Sequence, residues 1–210
     1  MVDWATIASF ATAGGTLVLA LATFSAVRSS NRTARIAEET LLTGMRPLLV
    51  PSLPDDAVHK VLWSDRHTAR VGGGRAIFEE ENDVIYLAVG LRNLGTGIAL
   101  LHGWYPTPDE VFGDLPHVEA EKFRRLRIDL YIPAGGTGYW EAAVRDRDDP
   151  VRPALLRTLR DREAFTIDLL YGDQQGRQRT ISRYTVLPTD DDGWYAQVGR
   201  HWNLDRPDPR

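Results

Sequence analysis

Cysteine is absent from this chain of 210 residues, which excludes disulfides, thiolate zinc sites, iron–sulfur clusters and a cysteine nucleophile together. Lysine is nearly absent. Only Lys60 and Lys122 stand among the 25 basic residues, the bias of a GC-rich bacterial genome, so abundant arginine is weak evidence for phosphate binding. Charge of one sign is not in strong excess either. Residues 1–46 hold four Arg against Asp3, Glu38 and Glu39, a sum of +1, so the overall −4 leaves −5 for the remainder. A mildly acidic domain argues against nucleic acid as partner. At this length one domain of ordinary core size fits beside an N-terminal segment, whereas two full domains would be crowded.

Catalytic spacing is equally scarce. His59, His67, His102, His117 and His201 form no H-E-x-x-H or other local ligand pair, so a metal site would need residues from distant strands. Asp190-Asp191-Asp192-Gly193 has Pro188 where a calcium loop needs its first oxygen ligand and Gly199 where it needs glutamate, and so reads as a turn before a strand. Gly72-Gly73-Gly74 lacks a following Gly-Lys-Ser/Thr and reads as a hairpin loop. Ser182 lacks the flanking glycines of a nucleophile elbow. The paired carboxylates Glu79-Glu80 and Asp148-Asp149 are adjacent and read as solvated. No motif implies a cofactor.

Long hydrophobic runs are missing except one. Residues 4–27 carry no charge, and 24 residues at about 1.5 Å each exceed a hydrocarbon core of roughly 30 Å. A transmembrane helix is expected. No Lys or Arg precedes the run and Ser25-Ala26-Val27 is a poor cleavage site, which argues against a signal peptide; a soluble core helix would not be apolar all round. Arg28, Arg32 and Arg35 follow the run, so the N-terminus is expected outside and the rest of the chain in the cytoplasm. Trp4 sits where an interfacial anchor would. Ala8, Thr12, Thr16 and Ala20 recur every four residues, a small-residue stripe through which two helices could associate. From residue 28 to 46, Ala34, Ala37, Leu41 and Met45 recur at helical spacing before Pro47, predicting a juxtamembrane helix. It is either a lipid-contacting segment or a solvated spacer.

Beyond Pro47 the period changes to two. Ile85, Leu87, Val89 and Leu91 alternate in one run, and Leu126, Ile128, Leu130 and Ile132 alternate with Arg125, Arg127, Asp129 and Tyr131 in another. Further strand-like runs lie at 47–53, 59–63, 76–80, 98–105, 137–144, 165–171, 178–187 and 194–199, with residues 172–176 as a hairpin turn. Many short strands predict a mainly β domain over 47–210, an antiparallel β-sandwich of Ig-like architecture. One inserted helix is expected where Val151, Leu155, Leu156 and Leu159 take helical spacing.

The order of apolar span, Arg-rich helix, the entry Arg46-Pro47-Leu48-Leu49-Val50-Pro51 and the stretch Asn93-Leu94-Gly95-Thr96-Gly97-Ile98-Ala99 resembles uncharacterised bacterial, actinobacterial single-pass membrane-anchored proteins with a C-terminal β-sandwich. The likeness covers most of the chain. It implies a structural Asn-Gly-Gly corner, with glycines at positive φ and Asn93 bonding local backbone, and no activity; many members have proline where this chain has Ile98.

The surface singled out for binding is basic and aromatic: Arg177, Arg179 and Arg183 alternate on one strand, and Trp194, Tyr195, Arg200, His201 and Trp202 follow. The competing reading pairs these arginines with Asp168, Asp173 or Asp190 and uses the aromatics to close the core. The functional expectation is a membrane-tethered, non-enzymatic interaction module with a protein partner. The alternative is an extracytoplasmic small-ligand or carbohydrate binder, and an enzyme with a site gathered from distant strands is the third class.

Overall fold

The computed structural model describes residues 3–108, 116–176 and 178–205, with the side chains of all of these except residues 4–11, 39, 42 and 43. Two compact units divide the chain, residues 1–44 and 45–210. In the first, α1 (Trp4–Gly44) runs unbroken through both the charge-free stretch and the Arg-rich stretch. Among the described residues no helix is long and apolar enough to cross a membrane.

The second unit is mainly β. Its strands are β1 (Leu49–Pro51), β2 (His59–Leu62), β3 (Thr68–Val71), β4 (Arg75–Glu81), β5 (Val84–Asn93), β6 (Ala99–Thr107), β7 (Arg124–Ile132), β8 (Thr137–Val144), β9 (Phe165–Asp173), β10 (Thr180–Pro188) and β11 (Trp194–Asn203), with α2 (Arg152–Asp161) between β8 and β9. Nine strands form one antiparallel sheet in the order β1-β5-β4-β11-β10-β9-β6-β7, with β8 on the edge of β5 opposite β4, while β2 and β3 form a separate hairpin. Where two separate sheets were expected, a single sheet curls around one core. The corner is β11, which pairs with β10 along its length but with β4 only at Trp194 and Tyr195.

The period-two run of β5 buries what its alternation predicts, and then more. Ile85, Leu87, Val89 and Leu91 face the main core with Leu49, Trp140, Phe165, Ile167 and Tyr184. The opposite face of β5 is covered as well, because Tyr86 and Ala88 pack under Val61, Trp63 and Val71 of the β2–β3 hairpin. A third cluster, Phe123, Leu170, Ile181 and Trp202, buries the outer face of β9, β10 and β11. The expected helix is α2, whose Leu155 reaches the core.

Two expectations are corrected. Gly95 and Gly97 do not have positive φ; among the described residues the glycines that do are Gly73, Gly74, Gly135 and Gly176. They are required for close approach instead. A Cβ on Gly95 would lie 2.2 Å from the Arg46 carbonyl oxygen, and one on Gly97 1.7 Å from that of Met45. Asn93 fastens this clasp: its Oδ1 accepts from Leu48 N–H (3.1 Å) and Gly95 N–H (2.9 Å), and its Nδ2 donates to the carbonyls of Gly97 (2.7 Å) and Ile132 (3.1 Å). The second correction is Ile128, placed by alternation on the inner face but 52% exposed. Between the pairs Leu101–Leu130 and Gly103–Arg125 a single β6 residue, His102, faces four β7 residues, so Leu126 to Asp129 arch away from the ladder.

Candidate functional site: a cationic groove at the open seam

The arginines singled out in the sequence do not form one exposed face. Arg177 lies outside the described residues. Arg179 is half exposed and held by Asp205, to which its guanidinium donates at 2.7 Å, and that hydrogen bond keeps the Asp205 carboxyl below its ordinary range. Arg183, expected outward and accessible, is 6% exposed. It forks onto the fully buried Asp168 with two hydrogen bonds of 2.8 Å and lies 4.9 Å over the ring of Trp202, which Arg200 approaches from 5.6 Å. Alternation put Arg183 on the outer face correctly, but the segment carrying Val118, Ala120 and Phe123 covers that face. The pairing reading holds at Asp168.

On α1, Ala8, Thr12, Thr16 and Ala20 all lie within the helix, and Thr12, Thr16 and Ala20 are exposed. The hydroxyl of Thr16 bonds the Thr12 carbonyl at 2.8 Å. Among the described residues no group of three His, Asp or Glu is placed to hold a metal ion. Ser182 does meet a histidine, its Oγ 2.6 Å from Nδ1 of His201 and 2.9 Å from the Tyr171 hydroxyl, a contact spacing alone did not reveal. Ser182 is fully buried, so this network ties β9, β10 and β11 together instead of presenting a nucleophile.

The site that the fold does open lies between β7 and β8. These consecutive strands do not pair: β7 goes to β6 and β8 to β5, which leaves a seam where the curled sheet fails to close. A groove of about 310 Å³ occupies it. Its floor is Trp63, Trp104 and Ala142, and its lips are Leu62 and Ile128, 55% and 52% exposed. Arg125 and Arg127 reach it from β7, Arg66 from the β2–β3 turn and Arg145 from the end of β8. The carboxylate among them is Glu141, whose pKa is raised because burial penalises its charge.

The hairpin that forms one wall is pinned in place. Trp63 Nε1 donates to the Ala142 carbonyl at 2.9 Å, so the hairpin caps a backbone group on the edge of β8. Asp65 accepts from the Tyr86 hydroxyl (2.9 Å) and from Arg145 Nε (3.0 Å). Burial pushes the Asp65 carboxyl up, but these bonds and one from the His67 backbone outweigh it and lower its pKa, while burial and Asp65 raise the Tyr86 hydroxyl to about 12. His67 stacks on Tyr86 with centroids 3.9 Å apart and reaches Glu79 and Glu81 at 2.8 and 3.0 Å. Arg66, beside it, has φ +72°, in the left-handed region where glycine or asparagine is the ordinary occupant. A strained residue whose side chain lines a groove is a functional candidate.

Comparison with protein-family models, curated proteins and solved structures finds no match to this chain. The groove is therefore read from its chemistry. Four guanidinium groups against Glu141 leave a charge of +3, or +2 once Asp65 is set against Arg145, in a chain whose net charge is −4. Among the described residues no carboxylate lies within ion-pair distance of Arg66, Arg125 or Arg127. Guanidinium groups around a tryptophan floor with apolar lips suit an anionic ligand with an apolar body. The constellation has no signature of its own in the sequence because its four arginines come from three separate segments; the local signal was the dense run Arg124-Arg125-Leu126-Arg127.

Proposed function

We propose that this chain is a membrane-tethered interaction module whose contact site is the groove between β7 and β8. The observation that carries the reading is a concentrated cationic groove with exposed apolar lips in an otherwise acidic unit. The tether rests on the charge-free residues 4–27, which open a helix of 41 residues. Arg28, Arg32 and Arg35 orient it with the N-terminus outside and the β unit in the cytoplasm. Two anchors pairing through Ala8, Thr12, Thr16 and Ala20 would present two grooves side by side. The curled sheet is, on this reading, an Ig-like sandwich whose two layers are joined through β11.

The groove volume also favours a second reading, an extracytoplasmic binder of a small anionic ligand, because pockets of about 300 Å³ begin to suit small molecules. Topology reporters fused to each terminus separate the two: the leading reading requires a cytoplasmic C-terminus. A photo-crosslinking residue at Ile128, exposed to light in intact cells, should join the chain to one defined protein, and Arg127→Glu should abolish the adduct. A C-terminal reporter that reads as external, or crosslinking that ignores Arg127, would overturn the proposal.

A further inference from the structure

We infer that the groove receives an extended acidic segment of a partner protein, laid along the arched residues Leu126 to Asp129 of β7 with its carboxylates on Arg66, Arg125 and Arg127. This rests on the interaction-module reading and names the partner's chemistry. β7 ends the sheet's strand order, and its Leu126–Asp129 stretch has no ladder partner on β6, so a short run of strand lines the groove at Leu126, Arg127 and Ile128 outside the β6 ladder. Such a run is what a partner strand adds to, taking affinity from main-chain hydrogen bonds and specificity from alternate side chains. Four residues span roughly 13 Å, two side-chain repeats of an added strand.

The side chains then define the strand. Leu62 and Ile128 offer exposed apolar contact on the two sides of the groove, while the three arginines stand where the added strand's outward side chains would turn. An incoming sequence that alternates carboxylates with aliphatic residues satisfies both sets, and one carrying Lys or Arg meets like charge. Arginines on an edge strand can instead serve to repel every other strand. That protective role and the receptive one make opposite forecasts for an acidic strand.

The test uses the full chain in neutral detergent micelles and a fluorescein-labelled, end-blocked peptide of about nine alternating Glu and Val residues, with binding read by anisotropy. Saturable binding is expected that weakens with salt and falls roughly tenfold for Arg127→Glu, since charge reversal replaces an attraction by a repulsion. A peptide N-methylated on alternate residues should not bind, because it cannot form the ladder. Near-UV circular dichroism checks that the variant is folded, and Arg125→Ala and Ile128→Ala replace it if it is not. Equal binding of the N-methylated or a Lys/Val peptide, or displacement by inorganic phosphate at equal concentration, overturns the inference, as does no binding of any peptide to folded protein. Ile128 crosslinking that still depends on Arg127 would then preserve the interaction module and reject only the strand as its partner.

Discussion

Arg179 and Arg183 look equivalent in the sequence, four residues apart on the same side of a strand, yet their surroundings differ completely. Arg179 meets Asp205 at the solvent boundary, where an ion pair is worth little. Arg183 and Asp168 are both buried, and removing one strands the other's charge in the interior. Arg183→Ala should therefore destabilise the fold by about 3–5 kcal/mol in urea titration, whereas Arg183→Met with Asp168→Leu should recover most of that loss. Arg179→Ala should change stability by less than about 1 kcal/mol. Glu141 supplies the residue-scale pH dependence. Burial raises its pKa above the ordinary 4.5, so its ionisation costs stability as pH rises through the folded value. Glu141→Gln should raise the Tm at pH 7 and leave it unchanged at pH 3, where both states are protonated. The same change should tighten an acidic peptide in the groove.

Among the elements, the clasp between the chain entry and the β5–β6 loop is the most exacting. Gly97→Ala places a methyl against the Met45 carbonyl, and denaturant unfolding should show a loss of about 1–3 kcal/mol. The start of β7 is held by a second fastening, since Arg124 donates to both carboxylate oxygens of Asp149 at 2.5 and 2.7 Å just before α2. The Arg124 hydrogen bonds lower the Asp149 pKa below its usual 3.8 against the opposing effect of burial. A depressed carboxyl stabilises the fold above its unfolded pKa and ceases to as pH falls through the folded one. Asp149→Asn should accordingly flatten the acid limb of the stability–pH curve below about pH 5, measured by urea midpoints. Alternation made β5 legible, and β6, β8, β9, β10 and β11 lie where the other strand-like runs, bounded by turn residues, stand. β3, only Thr68–Val71 and mostly exposed, had no such pattern, and the β7 arch, which depends on pairing with β6, had no local signature.

For the whole molecule, the decisive question is whether residues 4–27 hold the β unit at a bilayer. Full-length protein should sediment with membranes and resist carbonate extraction, while a fragment of residues 45–210, the second compact unit, should stay in the supernatant with its β circular dichroism intact. Recovery of uncleaved full-length chain in the soluble fraction would remove the tether. What the sequence determined by itself are the quantities set by local pattern: a charge-free run, arginines after it, the change of period at Pro47 and the helix near residue 152. Each follows from spacing along the chain, which needs no partner. Tertiary structure decided the rest. Whether an outward arginine is exposed depends on what covers the strand, and so Arg183 became a buried pair while Arg66, Arg125, Arg127 and Arg145, from distant segments, came together. That gathering required β7 and β8 to part into opposite halves of the curled sheet, a pairing choice set by the core as a whole and by no single stretch of residues.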